Sequence, residues 1–441
     1  MGLITPEPVW NLQRTLHVKA KRSPELRFYS LYDKLYREDV LRFAYRRCRA
    51  NGGAPGVDGV TFERIERAGV DGWLGELTRK LKEKTYRPSA VRRVMIPKPN
   101  GGERPLGIPT IADRVVQMAA VLVLEPIFEA DLLPEQHAYR PRHSALDAVG
   151  EVRRLVNTGH REVVDADLSG YFDTIPHESL MKSVARRVSD GTVLHLVKMW
   201  LEMPIEEEDD RGSKRRSNPA KKEKRGTPQG APISPLLANL YMRRFILGWK
   251  RLGHEKRYGA RIVNYADDFV ICCRHGADEA LTAAQEIIEA LGLTLNETKT
   301  HVRHVPEESV EFLGYRIGRC ISRKRNVPYI GTEPLRSRER RVRERVHDLT
   351  RRCTTGQEVA DVVGELNAVL TGWANYFCLG SVHATYRRVQ WHVDERLRRW
   401  LCRKHRIRGR GYKQYPNRHL YRNLGLVNLW EHAQGFAWAK A

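Results

Sequence analysis

The chain has no long apolar run. Nowhere in its 441 residues do roughly twenty predominantly apolar positions follow one another, so no membrane-spanning helix is expected. The first residues, Met1-Gly-Leu-Ile-Thr-Pro6, lack the basic stretch and apolar core of a secretory leader, and the expectation is a soluble, cytoplasmic protein with no membrane partner. Cysteine is sparse and unpatterned. The seven positions Cys48, Cys272, Cys273, Cys320, Cys353, Cys378 and Cys402 are an odd number without any Cys-x-x-Cys pair. That speaks against a disulfide framework and against a zinc ribbon, leaving reduced packing residues. The glycine-rich stretch Asn51-Gly-Gly-Ala-Pro-Gly-Val-Asp-Gly59 carries turn chemistry throughout but not the Lys-Ser/Thr of a phosphate-binding P-loop, so an ATPase signature is missing.

Acidic side chains are in deficit. Asp and Glu number 53 against 77 Lys and Arg, a formal net charge of +24, which points to a polyanionic partner. Residues 321–441 hold 25 Lys and Arg against 10 Asp and Glu, so the surplus concentrates at the back of the chain. The length admits several domains, each with its own core.

The acids that are present fall into a pattern. Arg261-Ile-Val-Asn-Tyr-Ala-Asp-Asp-Phe-Val-Ile-Cys-Cys273 sets Asp267 and Asp268 between two short β-branched and aromatic runs, which reads as strand, tight turn, strand. Taken alone, such a turn is ordinarily a solvated hairpin tip. A second strand, Glu162-Val-Val-Asp-Ala-Asp-Leu168, brings Asp165 and Asp167 onto one face by alternation, opposite Val164, Ala166 and Leu168. Adjacent carboxylates flanked by apolar strands repel and resist desolvation unless a cation lies between them. Three carboxylates at neighbouring strand ends can hold two Mg²⁺ ions about 3.5–4 Å apart, the arrangement that activates a hydroxyl and stabilises a leaving phosphate oxygen.

Other segments carry weaker signals. Helical spacing covers residues 25–50, and Asp113 to Phe128 is apolar enough for a buried helix. Helices are also expected over Ala145 to Val156, Leu180 to Trp200 and Ala277 to Leu291. Residues 86–109 form a hairpin around Pro99-Asn-Gly-Gly102, carrying Lys98 and Arg104, a pair suited to a triphosphate. The mixed-charge segment 206–225 reads as an exposed, mobile loop. In Arg225-Gly-Thr-Pro-Gln-Gly-Ala-Pro-Ile-Ser-Pro235, a glycine and proline turn brings the backbone and Gln229 close to a ligand before a helix opens near Ser234. Ala384 to His405 sets Val389, Val393, Leu397, Trp400 and Leu401 at helical spacing, with Arg387, Arg388, Arg396, Arg398, Arg399 and Arg403 around them. A helix packed by one face suits a phosphate backbone on the other.

Taken in order, these blocks resemble the reverse transcriptase and maturase proteins encoded by bacterial group II introns. The matching stretches are Gly56-Val-Asp-Gly59, Ile96-Pro-Lys98 with Arg104-Pro-Leu-Gly-Ile-Pro109, Tyr139-Arg-Pro141, Asp165-Ala-Asp-Leu168, Gly226-Thr-Pro-Gln-Gly230, Tyr265-Ala-Asp-Asp268, Phe312-Leu-Gly-Tyr315 and, further on, Leu366 to Phe377. The resemblance implies an α+β right-hand polymerase: fingers, a palm with an antiparallel sheet, and a helical thumb. It implies Asp167, Asp267 and Asp268 as catalytic Mg²⁺ ligands, with Leu168 beside them in the metal set and Asp165 outside it. It sets Lys98 and Arg104 on the incoming dNTP, Gln229 near the templating pair, and Phe172 as a bulky gate against a ribose 2′-hydroxyl. Gly314, Arg387, Arg388, Arg396, Arg399 and Arg403 are the implied nucleic-acid contacts.

The expected division is an N-terminal extension with a glycine loop (1–76), fingers and palm (77–320), thumb or maturase region (321–405) and a short basic DNA-binding tail (406–441). Many relatives continue into a nuclease domain with paired Cys and His that has no counterpart up to Ala441, so the expected target is already single-stranded or nicked. The implied partners are the group II intron RNA in a ribonucleoprotein, a DNA target and primer, and dNTPs. The implied activity is assisted splicing followed by copying of the RNA into DNA at the insertion site. Two other readings stay open: an RNA-folding cofactor with secondary polymerase activity, and a defence or repair reverse transcriptase without an intron.

Overall fold

A computed structural model describes residues 3–97, 102–208, 213–322 and 326–434. Among the described residues the strands are β1 (Val91–Pro97), β2 (Glu103–Ile108), β3 (Glu162–Asp167), β4 (Ile205–Glu208), β5 (Lys214–Ser217), β6 (Arg261–Tyr265), β7 (Asp268–Cys273), β8 (His301–His304), β9 (Val310–Phe312), β10 (Tyr315–Ile321) and β11 (Pro328–Pro334).

The palm is the antiparallel sheet β6-β7-β3-β8. Its strands are apolar on both faces because both are covered. Val164, Ala166, Leu168, Ile262, Phe269 and Ile271 pack into one core with the helices Ile111–Glu129 and Ser234–Arg251. Val163, Val263, Val270 and Cys272 face a second core with the helix Ala145–Asn157 and with Phe312, Tyr315 and Ile317 of the β9–β10 hairpin. Only the ends of the strands are left open for polar chemistry.

The fingers sheet runs β2-β1-β4-β5, and the segment expected as a mobile loop forms part of it. β4 joins β1 in parallel through Val91↔Ile205 and Arg92↔Glu206, then turns back as β5. The physical reason is charge register. Glu206, Glu207 and Glu208 lie directly opposite Arg216, Arg215 and Lys214, so each acid of β4 meets a base of β5 across the ladder. A short helix, Pro219–Glu223, follows, with the Asn218 side chain accepting from the Lys221 N–H.

Two long helices expected from spacing are each broken. Residues 25–50 hold a short turn of helix, Tyr32–Leu35, and a separate helix Glu38–Asn51. The stretch Leu180 to Trp200 divides into His177–Ala185 and Gly191–Leu201. Asp190 caps a helix start in each stretch. Its carboxylate accepts from Thr192 N and Val193 N, starting the second helix, and from Leu31 N and Tyr32 N at 2.8 Å each, tying the N-terminal segment to it.

The thumb has its own core. Val342 and Val346 of the helix Arg336–Leu349, Leu366 and Leu370 of Val359–Tyr376, and Val389, Val393, Leu397 and Trp400 of His383–Lys404 pack together. Leu420, Leu426 and Leu429 join the same core, so the basic segment after residue 405 is packed against the thumb as far as it is described. No helix of the described residues is long and apolar enough to cross a membrane.

Burial opposes the Asp190 charge, but the four backbone N–H donors outweigh it and hold the carboxyl below its usual range. A depressed carboxylate contributes stability that is present above the unfolded value near pH 4 and lost as pH falls through the folded one. Asp190→Ala should therefore lower unfolding free energy by about 2–4 kcal/mol at pH 7 in urea titrations. The gap to the parent protein should narrow below about pH 4.

Candidate active site

β3 ends at Asp167 and β7 begins at Asp268, and the ladder puts these two residues directly opposite each other. Tyr265 of β6 pairs with the same Asp268 across a two-residue turn, Ala266-Asp267. Ala266 sits at φ +60, a conformation that ordinary side chains avoid, and Asn264 pins it by donating to the Ala266 and Asp268 carbonyls at 2.9 and 3.3 Å. The strained turn thereby holds Asp267 beside the opposed pair.

The electrostatics follow from that geometry. Burial first, then Asp267 and Asp167, push the Asp268 carboxyl up to about 7, and Asp268 shares a hydrogen bond with Asp167. Asp267 is raised as well, chiefly by burial. Lys299 answers part of this charge: its ammonium lies 2.8 Å from Asp167 Oδ2, and Asn296 Nδ2 donates to the same oxygen at 3.3 Å. Asn296 N–H also caps the Asp167 carbonyl at 2.8 Å, fixing the strand end.

Among the described residues no three His, Cys, Asp or Glu side chains already close around one point as a finished metal shell. The donor set nevertheless suits a cation that takes few carboxylates and completes its shell with water and phosphate oxygens. The carboxylates here are held together and incompletely neutralised, and Asp167 and Asp267 line a cleft. Leu168, with its side chain 3% exposed in the core, has only a main-chain carbonyl to offer such an ion. Asp165, two residues back on the same face, is partly buried mid-strand opposite Val270, not at the strand end, and burial raises it to about 7.

The cleft holds about 900 Å³ and is bordered by Arg104, Tyr139, Asp167, Phe172, Gln229 and Lys299 among others. Phe172 is half-buried, edge-on to Tyr171 at 5.8 Å, with its carbonyl accepting from Thr227 N–H at 2.6 Å. Gln229 Nε2 donates to Asp173 Oδ2 at 2.8 Å, which orients the amide along the cleft wall. The glycines of this loop approach protein backbone and not an open ligand space. A Cβ at Gly230 would meet the Gly107 carbonyl at 2.5 Å, and one at Gly226 would meet the Asp173 carbonyl at 3.0 Å. Lys98 lies outside the described residues.

Two cleft residues were not assigned a role from the sequence. Lys299 is 32 positions beyond Asp267, with no local motif to link them. Tyr139 stands at φ +54 with its ring toward the cleft, its hydroxyl held above the usual range by burial and then by Asp267. Its neighbour Arg140 is structural, bridging Glu129 at 2.6 Å and donating to the Leu133 and Gln136 carbonyls.

The expected nucleic-acid contacts divide. Gly314 has φ +84 in the two-residue turn between β9 and β10, where a Cβ would meet Arg338 Nε at 3.2 Å and Phe377 at 3.4 Å. Arg388 is engaged by the buried Glu339 at 2.6 Å, and Arg396 donates to Thr350 Oγ1 and to the His347 and Thr350 carbonyls, closing the end of the helix Arg336–Leu349. Arg387, Arg399 and Arg403 remain exposed.

A different basic stripe is better placed. Arg338, Arg341 and Arg345 recur at helical spacing on Arg336–Leu349 and line a groove of about 430 Å³ with Leu313, Trp373, Tyr376 and Phe377. None of the three has an ion-pair partner among the described residues, whereas Arg340 and Arg343 on the same helix face Glu344 and Glu339. The Trp373 indole N–H is buried there without a hydrogen-bond partner. Tyr376 donates to the Leu313 carbonyl at 2.8 Å and lies near Tyr265, so the groove adjoins the Ala266-Asp267 turn.

Comparison with known proteins agrees with this geometry. A family described as reverse transcriptase (RNA-dependent DNA polymerase) matches residues 96–317, and one described as group II intron, maturase-specific domain matches residues 339–416. Protein YkfC of Escherichia coli is 34% identical over 362 residues, covering 73% of this chain and 92% of that protein. The group II intron-encoded protein LtrA of Lactococcus lactis is 28% identical, covering 66% of this chain and 57% of its own length. The putative COX1/OXI3 intron 1 protein of Saccharomyces cerevisiae is 25% identical, covering 86% and 48%. The chain thus spans about half the length of the last two.

If the three carboxylates repel one another, removing one should help the apo protein. With chelator at pH 8, Asp268→Asn should be more stable than the parent by roughly 1–3 kcal/mol. Added Mg²⁺ should raise the melting temperature of the parent and leave that of the variant nearly unchanged. A variant less stable than the parent in chelator would show that the carboxylates are not in conflict.

Proposed function

Because the chain belongs to the reverse transcriptases that carry a group II intron maturase-specific domain, we propose that it is an RNA-directed DNA polymerase that binds intron RNA, assists its splicing and copies it into DNA from a target-site primer. The observation that carries this reading is the opposition of Asp167 and Asp268 at the open end of the palm sheet, with Asp267 in the turn beside them.

Asp167, Asp267 and Asp268, with the Leu168 carbonyl, are the groups that would hold divalent cations, which reverse transcriptases generally use. Two Mg²⁺ ions bound there would supply activation of a primer 3′-hydroxyl and charge stabilisation at the α-phosphate and the leaving pyrophosphate. The remaining roles belong to the chain. Lys299 offsets part of the Asp167 charge and aims the carboxylate along the strand end. Arg104, an exposed guanidinium on β2 at the cleft rim, grips triphosphate oxygens in pairs. Phe172 fills the space below the sugar, so a 2′-hydroxyl has no room. Gln229, held by Asp173, sets the height of the templating pair.

In this reading residues 77–320 are fingers and palm, 321–405 are the thumb, and the segment after 405 carries DNA contacts from the thumb surface. The groove along Arg338, Arg341 and Arg345 receives the duplex as it leaves the acids, with three unpaired guanidiniums for phosphate oxygens and aromatic rings beneath.

Asp267→Ala should reduce primer extension by about 10³-fold or more, since several kcal/mol of charge stabilisation is lost, while binding of an RNA hairpin changes by less than about twofold. Retained DNA synthesis in that variant sinks the metal assignment. Replacing Arg338, Arg341 and Arg345 together with Gln should weaken primer–template binding and lower the slope of log affinity against log salt by about 2–3.

A further inference from the structure

The palm sheet has a second end. Opposite the acids, Arg261 pairs with Cys272 and Glu162 with Cys273, the length of β3 away, or roughly 16 Å at the usual rise per residue. A basin of about 570 Å³ opens there, lined by Arg154, His160, Glu255, Lys256, Arg261 and Arg274 among others. Four cations face one carboxylate. Arg154 is already tied to Glu151 at 2.6 Å, and Arg261 stands 3.7 Å from Glu255. The Lys256 and Arg274 side chains have neither an ion pair nor a hydrogen-bond partner among the described residues.

Arg274 is held in place without an acid. A Cβ at Gly259 would meet three carbons of its stem at 3.0–3.2 Å, and one at Gly159 would meet its Nη1 at 3.5 Å. Both glycines have positive φ, +53 and +98, so two separate turns leave a channel that an arginine fills. The guanidiniums also converge: the His160 imidazole is held below its usual range by burial and then by Arg274, Arg261 and Arg154. Helix C-termini attract cations, and both Ala145–Asn157 and His254–Arg257 end at this basin. Yet the closing carbonyls there already accept from the N–H groups of Thr158, His160, Tyr258 and Ala260, and Arg261 donates to the Ala260 carbonyl at 3.2 Å, which leaves the Arg274 guanidinium unused.

We propose that this basin is a phosphate-binding site for the backbone of a folded RNA, separate from the catalytic cleft. Guanidinium forks match paired phosphate oxygens, and Lys256 adds a point charge at the rim. The inference rests on the RNA-binding part of the proposed function and is independent of the polymerase step.

The test uses the full chain and a labelled RNA hairpin with no primer end, read by fluorescence anisotropy across a salt series. The double variant Lys256→Gln with Arg274→Gln should raise the hairpin Kd roughly three- to tenfold and lower the salt slope by about 1–2. Extension of a short primer–template should stay at the parent rate, and Arg274→Lys alone should keep the parent salt slope while losing part of the affinity. Unchanged Kd and slope in the double variant would overturn the proposal. So would inorganic phosphate raising the melting temperature of the parent and not of the variant while hairpin affinity is equal, which identifies a small-anion site. A parent protein that binds the hairpin through these residues but never extends a primer leaves this site standing and removes the polymerase reading instead.

Discussion

Two carboxylates forced into register across a β-ladder are the constraint from which the centre of this molecule follows. Backbone hydrogen bonding between β3 and β7 sets Asp167 against Asp268, and neither can withdraw without breaking the sheet. Burial by helices on one face and the β9–β10 hairpin on the other limits their contact with bulk water to the cleft side. The charge must then be answered locally. Lys299 and Asn296 answer it at Asp167, and Asp268 is left to a proton or to a divalent ion. The strained Ala266, the Asn264 clamp and the Asn296 backbone cap all serve to keep that strand end fixed.

A surplus of arginine means something only once its partners are known. Along the thumb helices, guanidiniums of identical local character meet different fates. Arg388 and Arg396 bind a buried Glu and a helix end, Arg398 is enclosed beside Glu395, and Arg338, Arg341 and Arg345 face a groove with nothing to neutralise them. The same sorting operates at the rear of the palm, where Arg154 is neutralised and Arg274 is not. Some of the free positive charge thus lies in concave places, where a polyanion can touch several donors at once.

Charge also builds structure here. The acidic run of β4 and the basic run of β5 have no apolar pattern to announce a hairpin, but cross-strand pairing of opposite charges gives one, docked on the fingers through two residues of β1. Asp190 similarly turns what reads as continuous helix into two helices and anchors the N-terminal segment in passing. Both depend on contacts with residues that periodicity does not weigh.

From the sequence alone came the paired acids of 165–168 and 265–268, the strand, turn, strand reading around them, the buried helix over 113–128, the order of the motif blocks and the basic bias of residues 321–441. These are legible because they are local: alternation, helical spacing, turn residues and charge act over a few positions. Only the tertiary structure decided that Asp167 and Asp268 stand opposite each other, that Lys299 and Tyr139 join them, and which arginines are left unpaired. Those facts depend on which distant groups the ladder and the helix packing bring within a few ångströms, and no short window of sequence contains both partners.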